Sequence, residues 1–364
     1  MATPNAKRIL IAPLDWGLGH TARCVPIIRS ILRRGHIAIV AGNSWQRSFI
    51  EKTFAAINFI HLDGYNVIYS EWNRFAQAGL ISQLPGLMKT INNEHKWLQP
   101  VVKELGINGI ISDNRYGLYH PHIPSVIVTH QLQVQTGMGA FTDRSVQKLH
   151  YKYLDRFNET WVADVPGTPN LGGKLSHTAM LPKQVKYIGL LSQLTEEKQE
   201  AASDGSLLIL LSGPEPQRSI LSELLWQQAV EHTGKIVFVE GSESVTMPLP
   251  IPPHITYHKR LTHEALAPLM QKAGMVICRS GYSTLMDLVA LNKKAILIPT
   301  PGQTEQEYLG RHLMEQGVFF STPQKSFLLP QALHAANEFQ YHRLALSDAY
   351  NNYDEVLSQW IEEL

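Results

Sequence analysis

Met275-Val276-Ile277-Cys278-Arg279-Ser280-Gly281-Tyr282-Ser283-Thr284-Leu285-Met286-Asp287 changes character at its middle. Four consecutive apolar residues read as a buried strand, a Ser-Gly turn follows, and Tyr282 to Leu291 reads as an amphipathic helix. Ala295 to Ile298 is the next apolar run, closed by Pro299. Strand, turn, helix and strand in that order make a parallel βαβ unit. The pattern extends toward the N-terminus through strands Ser206 to Leu211, Ile236 to Glu240 and Ile255 to Tyr257, with helices at Gln217 to His232 and His263 to Lys272. It recurs in the first half, with strands near Arg8 to Ala12, Ile37 to Ala41, Asn58 to His61, Gly109 to Ser112, Ser125 to Thr129 and Thr160 to Ala163. The predicted class is α/β with doubly wound parallel sheets.

A chain of 364 residues has room for two such cores. Pro and Gly accumulate from Asp164 to Lys174, and the polar segment ending at Gly205 separates the two alternations. The expected division is residues 1–188, residues 189–340 and a final helix at 341–364. In that helix Leu344, Leu346, Tyr350, Tyr353, Val356, Leu357, Trp360 and Ile361 share a face; it is expected to cross back to the N-terminal domain. From Glu71 to Leu105 the pattern predicts two helices separated by a loop at Pro85-Gly86.

With 44% hydrophobic and 17% charged residues and a net charge of +1, the chain reads as globular and not as a polyanion binder. Arg29, Arg33 and Arg34 cluster as on a solvated helix face, so no nucleic-acid partner is expected. Cys24 and Cys278 stand in unrelated contexts and fit a reducing cytoplasm. No apolar run approaches the roughly 18 residues of a membrane-spanning helix. His120 and His122 flank Pro121 in a loop and read as surface histidines, so no metal site is expected.

The first strand runs into Asp15-Trp16-Gly17-Leu18-Gly19-His20-Thr21-Ala22-Arg23, formally Gly-x-Gly-x-x-Ala, where a helix N-terminus attracts anions. A dinucleotide-binding unit needs an acid at the end of its second strand, but here Ala41-Gly42-Asn43 ends it, which counts against a dehydrogenase. His20 is a candidate general base, with Asp113 as an orienting carboxylate at the end of another strand. Their alternative readings are a structural histidine and a turn residue. Ser280 and Gly281 leave free helix-start amides for a diphosphate, and Asp287 follows within two turns, in reach of ribose hydroxyls. Gln303-Thr304-Glu305-Gln306-Glu307 opens a further helix with acceptors suited to a sugar.

Cys278 to Leu309 resembles the donor-binding region of GT-B glycosyltransferases, most closely the C-terminal domain of MurG-type N-acetylglucosaminyltransferases (family 28). The motif is Arg-Ser-Gly-x-x-Thr-x-x-acid, with Gln, acid and Tyr following the next strand's Pro. The resemblance implies two Rossmann-like domains facing a central cleft. It places Gly19, Gln217, Arg218, Arg279, Ser280 and Gly281 at the donor diphosphate and Asp287 at the ribose, where the family more often has Glu. Glu305, Gln306 and Glu307 fall at the donor sugar, and Arg260 and Leu261 at the base. The turn Ser212 to Arg218 corresponds to the family's Gly-rich phosphate loop; its two prolines remove amides, leaving Arg218 as the charge partner.

His20 matches the family's Gly-x-Gly-His turn. The His20 and Asp113 arrangement is similar to that of plant glycosyltransferases, whereas MurG-type enzymes lack the acid. The implied activity is inverting, metal-independent transfer of a hexose or N-acetylhexosamine from a UDP-sugar to an acceptor hydroxyl, with no further cofactor. Gly-x-Gly-His-x-x-Arg-Cys also resembles nucleotide-sugar hydrolases of this fold; an epimerase and a non-catalytic sensor are further alternatives. Tyr65 to Leu105, Arg115 to His122 and His130 to Gly139 are the expected acceptor walls. Trp72, Phe75, Leu84, Leu87 and Met88 there suit a lipid-linked or aromatic acceptor or serve as core. The expected location is cytoplasmic or peripheral to the inner membrane face.

Overall fold

The structure is a computed structural model that describes residues 5–65, 84–134, 139–194, 202–246, 249–344 and 352–364. It divides into two compact units, one running to Ser192 and taking in the C-terminal helix, the other spanning residues 193–345. In the first unit the strands are β1 (Arg8–Pro13), β2 (Ile37–Gly42), β3 (Asn58–His61), β4 (Gly109–Asp113), β5 (Ser125–Thr129), β6 (Glu159–Val162) and β7 (Val185–Tyr187). They pair in parallel in the order β3-β2-β1-β4-β5-β6-β7. Helices α1 (Leu18–Arg33), α2 (Ser44–Thr53), α3 (Leu84–Leu105) and α4 (Ala140–Leu154) connect them. Ile9 to Ala12 are completely buried, as strands covered on both faces must be. Leu10 and Ala12 pack with Leu98 and Val102 of α3.

The second unit holds β8 (Leu207–Leu210), β9 (Ile236–Val239), β10 (Ile255–His258), β11 (Met275–Cys278), β12 (Ala295–Leu297) and β13 (Phe320–Ser321), ordered β10-β9-β8-β11-β12-β13 and all parallel. Its helices are α5 (Gln217–Val230), α6 (His263–Lys272), α7 (Tyr282–Ala290), α8 (Thr304–Glu315) and α9 (Leu329–Glu338). Leu221, Leu225 and Ala229 of α5 and Ala332 and Ala336 of α9 cover Leu207, Ile209 and Ile277. Each unit is thus a doubly wound parallel α/β sheet.

The final helix, α10 (Asn352–Glu362), docks on the first unit. A side chain at Gly109 would come within 2.5 Å of the Trp360 ring, so β4 needs glycine there. Arg33, which ends α1, and its C-cap Arg34 pair with Asp354 at 3.0 and 2.8 Å, so these two basic residues fasten a helix. Among the described residues no helix is long and apolar enough to cross a membrane.

Several elements depart from expectation. β7 and β13, of three and two residues, are too short to show a period. α9 was also not read. Pro85 and Gly86 do not form a loop; both are helical, within α3. α10 is described from Asn352; Leu346 and Tyr350, like Trp72 and Phe75, lie outside the described residues. Leu87 packs beside the Leu14, Tyr65 and Ile91 cluster, while Met88 is exposed.

Candidate active and donor-binding sites

Both sheets reverse their strand order once, and a doubly wound sheet opens its ligand crevice at that point, outside the carboxyl ends of the strands. In the first unit the reversal lies between β1 and β4, where Pro13 is in register with Asp113. Gly17 caps α1 at φ 118°, a conformation that favours glycine, and the helix begins at Leu18, so Gly19 and His20 occupy its first turn.

His20 Nδ1 lies 3.1 Å from Asp113 Oδ1. The two groups meet, but not alone. Arg23, one turn on, donates from Nε to Asp113 Oδ2 at 2.8 Å and from Nη2 to Asp113 Oδ1, and its Nη1 contacts His130 Nδ1 at 2.8 Å. Cys24 Sγ reaches Asp113 Oδ2 at 3.6 Å. Asp113 is 0% exposed and Arg23 1%, whereas the His20 side chain keeps 18%. Burial alone would raise the Asp113 pKa, but Arg23 and His20 outweigh it and hold the carboxyl ionised well below its usual range. Burial lowers the His20 pKa, Asp113 opposes this, and Arg23 lowers it further. The imidazole is therefore neutral at pH 7, able to accept a proton.

A second buried network braces this crevice. Arg115 Nε donates to Glu94 Oε1 at 2.6 Å, and Tyr65 Oη donates to Glu94 Oε2 at 2.6 Å. Its residues come from α3 and from the loops that follow β3 and β4, and none of them was singled out from sequence. The end of β2 carries no ribose-binding acid: Asn43 and Gln46 form a capping box on α2, and Gln46 Nε2 donates to Pro13 O at 3.1 Å. His120 Nδ1 accepts from the His122 amide at 3.2 Å. Among the described residues no group of three or more His, Cys, Asp or Glu gathers to hold a metal ion.

In the second unit the reversal lies between β8 and β11, where Leu210 is in register with Cys278. The turns Ser212-Gly213 and Ser280-Gly281 thus emerge side by side, leading into α5 and α7. Gly213 has φ 108° and Gly281 caps α7; a side chain added at either would meet nothing within 4 Å. The space above these helix starts is open. Ser280 Oγ donates to Gln306 O at 2.8 Å, and the Thr300 amide donates to Gln306 Oε1 at 2.9 Å. Glu307 Oε1 accepts from the Gly302 amide at 2.8 Å. The proposed diphosphate and sugar segments are thereby joined. Asp287 is buried in the second turn of α7; Glu305 is half-buried in the first turn of α8, and Arg260 and Leu261 are half-buried in the loop before α6.

Two expected phosphate ligands are otherwise engaged. Arg218 is 4% exposed; its Nη1 donates to Glu240 Oε1 at 2.5 Å and its Nη2 to Glu215 Oε1. A guanidinium held by two carboxylates braces α5 against the end of β9. Arg279, 2% exposed, donates to the carbonyls of Ile298 (3.1 Å), Pro299 (3.2 Å) and Gln217 (2.8 Å) and to Gln324 Oε1 (2.7 Å). It ties the start of α5 to the loops after β12 and β13. Gln217 contributes a carbonyl to that clamp.

Residues 232–347 match the glycosyltransferase family 28 C-terminal domain. An uncharacterized glycosyltransferase of Methanosarcina mazei is 21% identical over 355 residues, covering 88% of each chain. A UDP-N-acetylglucosamine--N-acetylmuramyl-(pentapeptide) pyrophosphoryl-undecaprenol N-acetylglucosamine transferase of Prochlorococcus marinus is 30% identical over 100 residues, 27% of each chain. Among solved structures, the glycosyltransferase SnogD from Streptomyces nogalater superposes with a TM-score of 0.64 at 14% identity, covering 99% of this chain and all of that one. MurG of Acinetobacter baumannii gives 0.56 at 14% identity, covering 98% of this chain and all of its own. These structural likenesses show the fold. The two doubly wound sheets have the GT-B fold, and residues 232–347 of the second unit match a family 28 glycosyltransferase domain.

Proposed function

We propose that the protein transfers a sugar from a UDP-sugar to an acceptor hydroxyl with inversion and without a metal ion. The observation that carries this reading is the open helix start at Ser280-Gly281, placed at the strand-order reversal of a unit whose residues 232–347 match a family 28 domain. The backbone amides there, reinforced by the α7 dipole, bind the diphosphate and stabilise it as it departs. With Arg218 and Arg279 buried in the framework, this load falls on amides and dipoles. Asp287 takes the ribose, Gln306 and Glu307 the sugar, and the loop at Arg260 and Leu261 the base. The specific relationship is to the MurG-type enzymes, supported by the local identity to a UDP-N-acetylglucosamine transferase.

On the acceptor side, neutral His20 takes the hydroxyl proton as the oxygen attacks the anomeric carbon. Asp113, already ionised, steadies the imidazolium that results. A base whose pKa is lowered by burial places the acid limb of kcat/KM below the 6.5 of a free histidine: activity is full above that value and falls as pH drops through the lowered one. A kcat/KM profile from pH 4.5 to 8 reads this directly, and an inflection above 7 contradicts it.

Incubation with UDP-sugars alone tests the reaction class. Near silence until an acceptor is added supports transfer. Rapid release of free sugar without acceptor makes water the acceptor and the protein a hydrolase. The hydrolase reading draws on Arg23 and Cys24, which follow His20 in the hydrolase-like turn and both reach Asp113.

A further inference from the structure

α8 meets the edge of its sheet through Gly310, where a side chain would come within 2.7 Å of both Pro299 Cγ and Ser321 Oγ. Because the helix backbone itself forms that contact, the side chains flanking it border an open cavity of about 740 Å³, within the range of small-molecule sites. Glu307 and Arg311 border it from the helix, Gln324 and Lys325 from the loop after β13. The cavity shares Glu307 with the segment assigned to the donor sugar. Glu307 stands at its near end, and Gln324 is hydrogen-bonded to Arg279, the neighbour of Ser280.

Arg311 and Lys325 are exposed, and among the described residues no hydrogen bond or ion pair engages either side chain. Two acids also border the cavity. Glu307 turns one oxygen to the Gly302 amide, and Glu315, one turn beyond Arg311, makes no bridge to it. A guanidinium and an ammonium therefore face the space beyond the sugar segment with no carboxylate on either. A neutral hexose offers them only hydroxyls. A carboxylate on the sugar offers the guanidinium a bidentate, charge-assisted pair.

We propose that the donor sugar bears a carboxylate, the donor being a nucleoside-diphosphate uronic acid, with Arg311 and Lys325 reading the acid. This rests on the donor-site reading above and specifies its substrate class. Titration of the full chain with UDP, UDP-glucose and UDP-glucuronate tests it. The expected result is that UDP binds and that the glucuronate conjugate binds at least about 10-fold tighter than the glucose conjugate. In the Arg311→Ala, Lys325→Ala double variant the two conjugates should come within about 3-fold of each other, with UDP affinity unchanged. Equal affinity of the two conjugates for the unaltered protein overturns the inference, as does a preference that survives the double variant. Failure of UDP itself to bind is a separate result, which overturns the donor site and this inference with it.

Discussion

Replacing His20 by alanine lowers the transfer rate by about 10²- to 10⁴-fold, the usual contribution of a positioned general base, while donor affinity stays within about twofold. The split follows from location. His20 stands in the first turn of α1 in the first unit, whereas the groups assigned to the donor are on α7 and α8 of the second. The side chain is partly exposed, and the two groups it touches, Asp113 and Arg23, also hold each other, so its loss leaves their pairing in place. Steady-state kinetics with separate UDP titration check the result; a variant that retains more than a tenth of the rate removes His20 from the chemistry.

Replacing Asp113 by asparagine costs about 3–5 kcal/mol of stability, a structural effect that does not depend on substrate. The amide removes a carboxylate that Arg23, itself 1% exposed, holds through both Nε and Nη2, leaving that buried charge under-compensated. Denaturant unfolding of the variant reads the loss. An Arg23→Met, Asp113→Asn double variant should recover much of it, because no charge then remains buried. The pH dependence has a definite sign. With its folded pKa depressed, Asp113 contributes stability that is fully present above the unfolded value of about 3.9 and is lost as pH falls toward the folded one. A D113N variant as stable as the parent contradicts the network as described.

Much of the architecture is legible in the residues because apolar runs such as Met275 to Cys278 and Ile9 to Ala12 are fully covered strands, and their spacing by amphipathic stretches admits few arrangements. β7 and β13 escape because two or three half-buried residues carry no period. His20 and Asp113 could be picked out because both stand at strand ends facing the crevice. The grip of Arg23 on Asp113 could not, since it joins residues 90 positions apart through a register that only the sheet supplies. Arg218 misled for a related reason. Its loop of prolines seemed to need a side-chain cation, but Glu240 at the end of β9 claims it. A buried arginine needs an acid, and an acid closing a strand was the available sign. The Glu94–Arg115–Tyr65 network left no local trace, because its members are spread over residues that share no periodic pattern.

The central claim is that a nucleoside diphosphate sits on the helix start at Ser280-Gly281. Gly281 has φ −74°, which any residue adopts, and a Cβ there meets nothing within 4 Å, so the bulk of valine projects into the open space where a ligand would sit. The decisive measurement is the melting temperature with and without UDP, for the parent and for Gly281→Val. At about 100 times Kd, UDP should stabilise the parent by about 2.7 kcal/mol, a rise of several degrees, and leave the variant where it began. An unshifted parent, or a variant that UDP stabilises equally, contradicts the account.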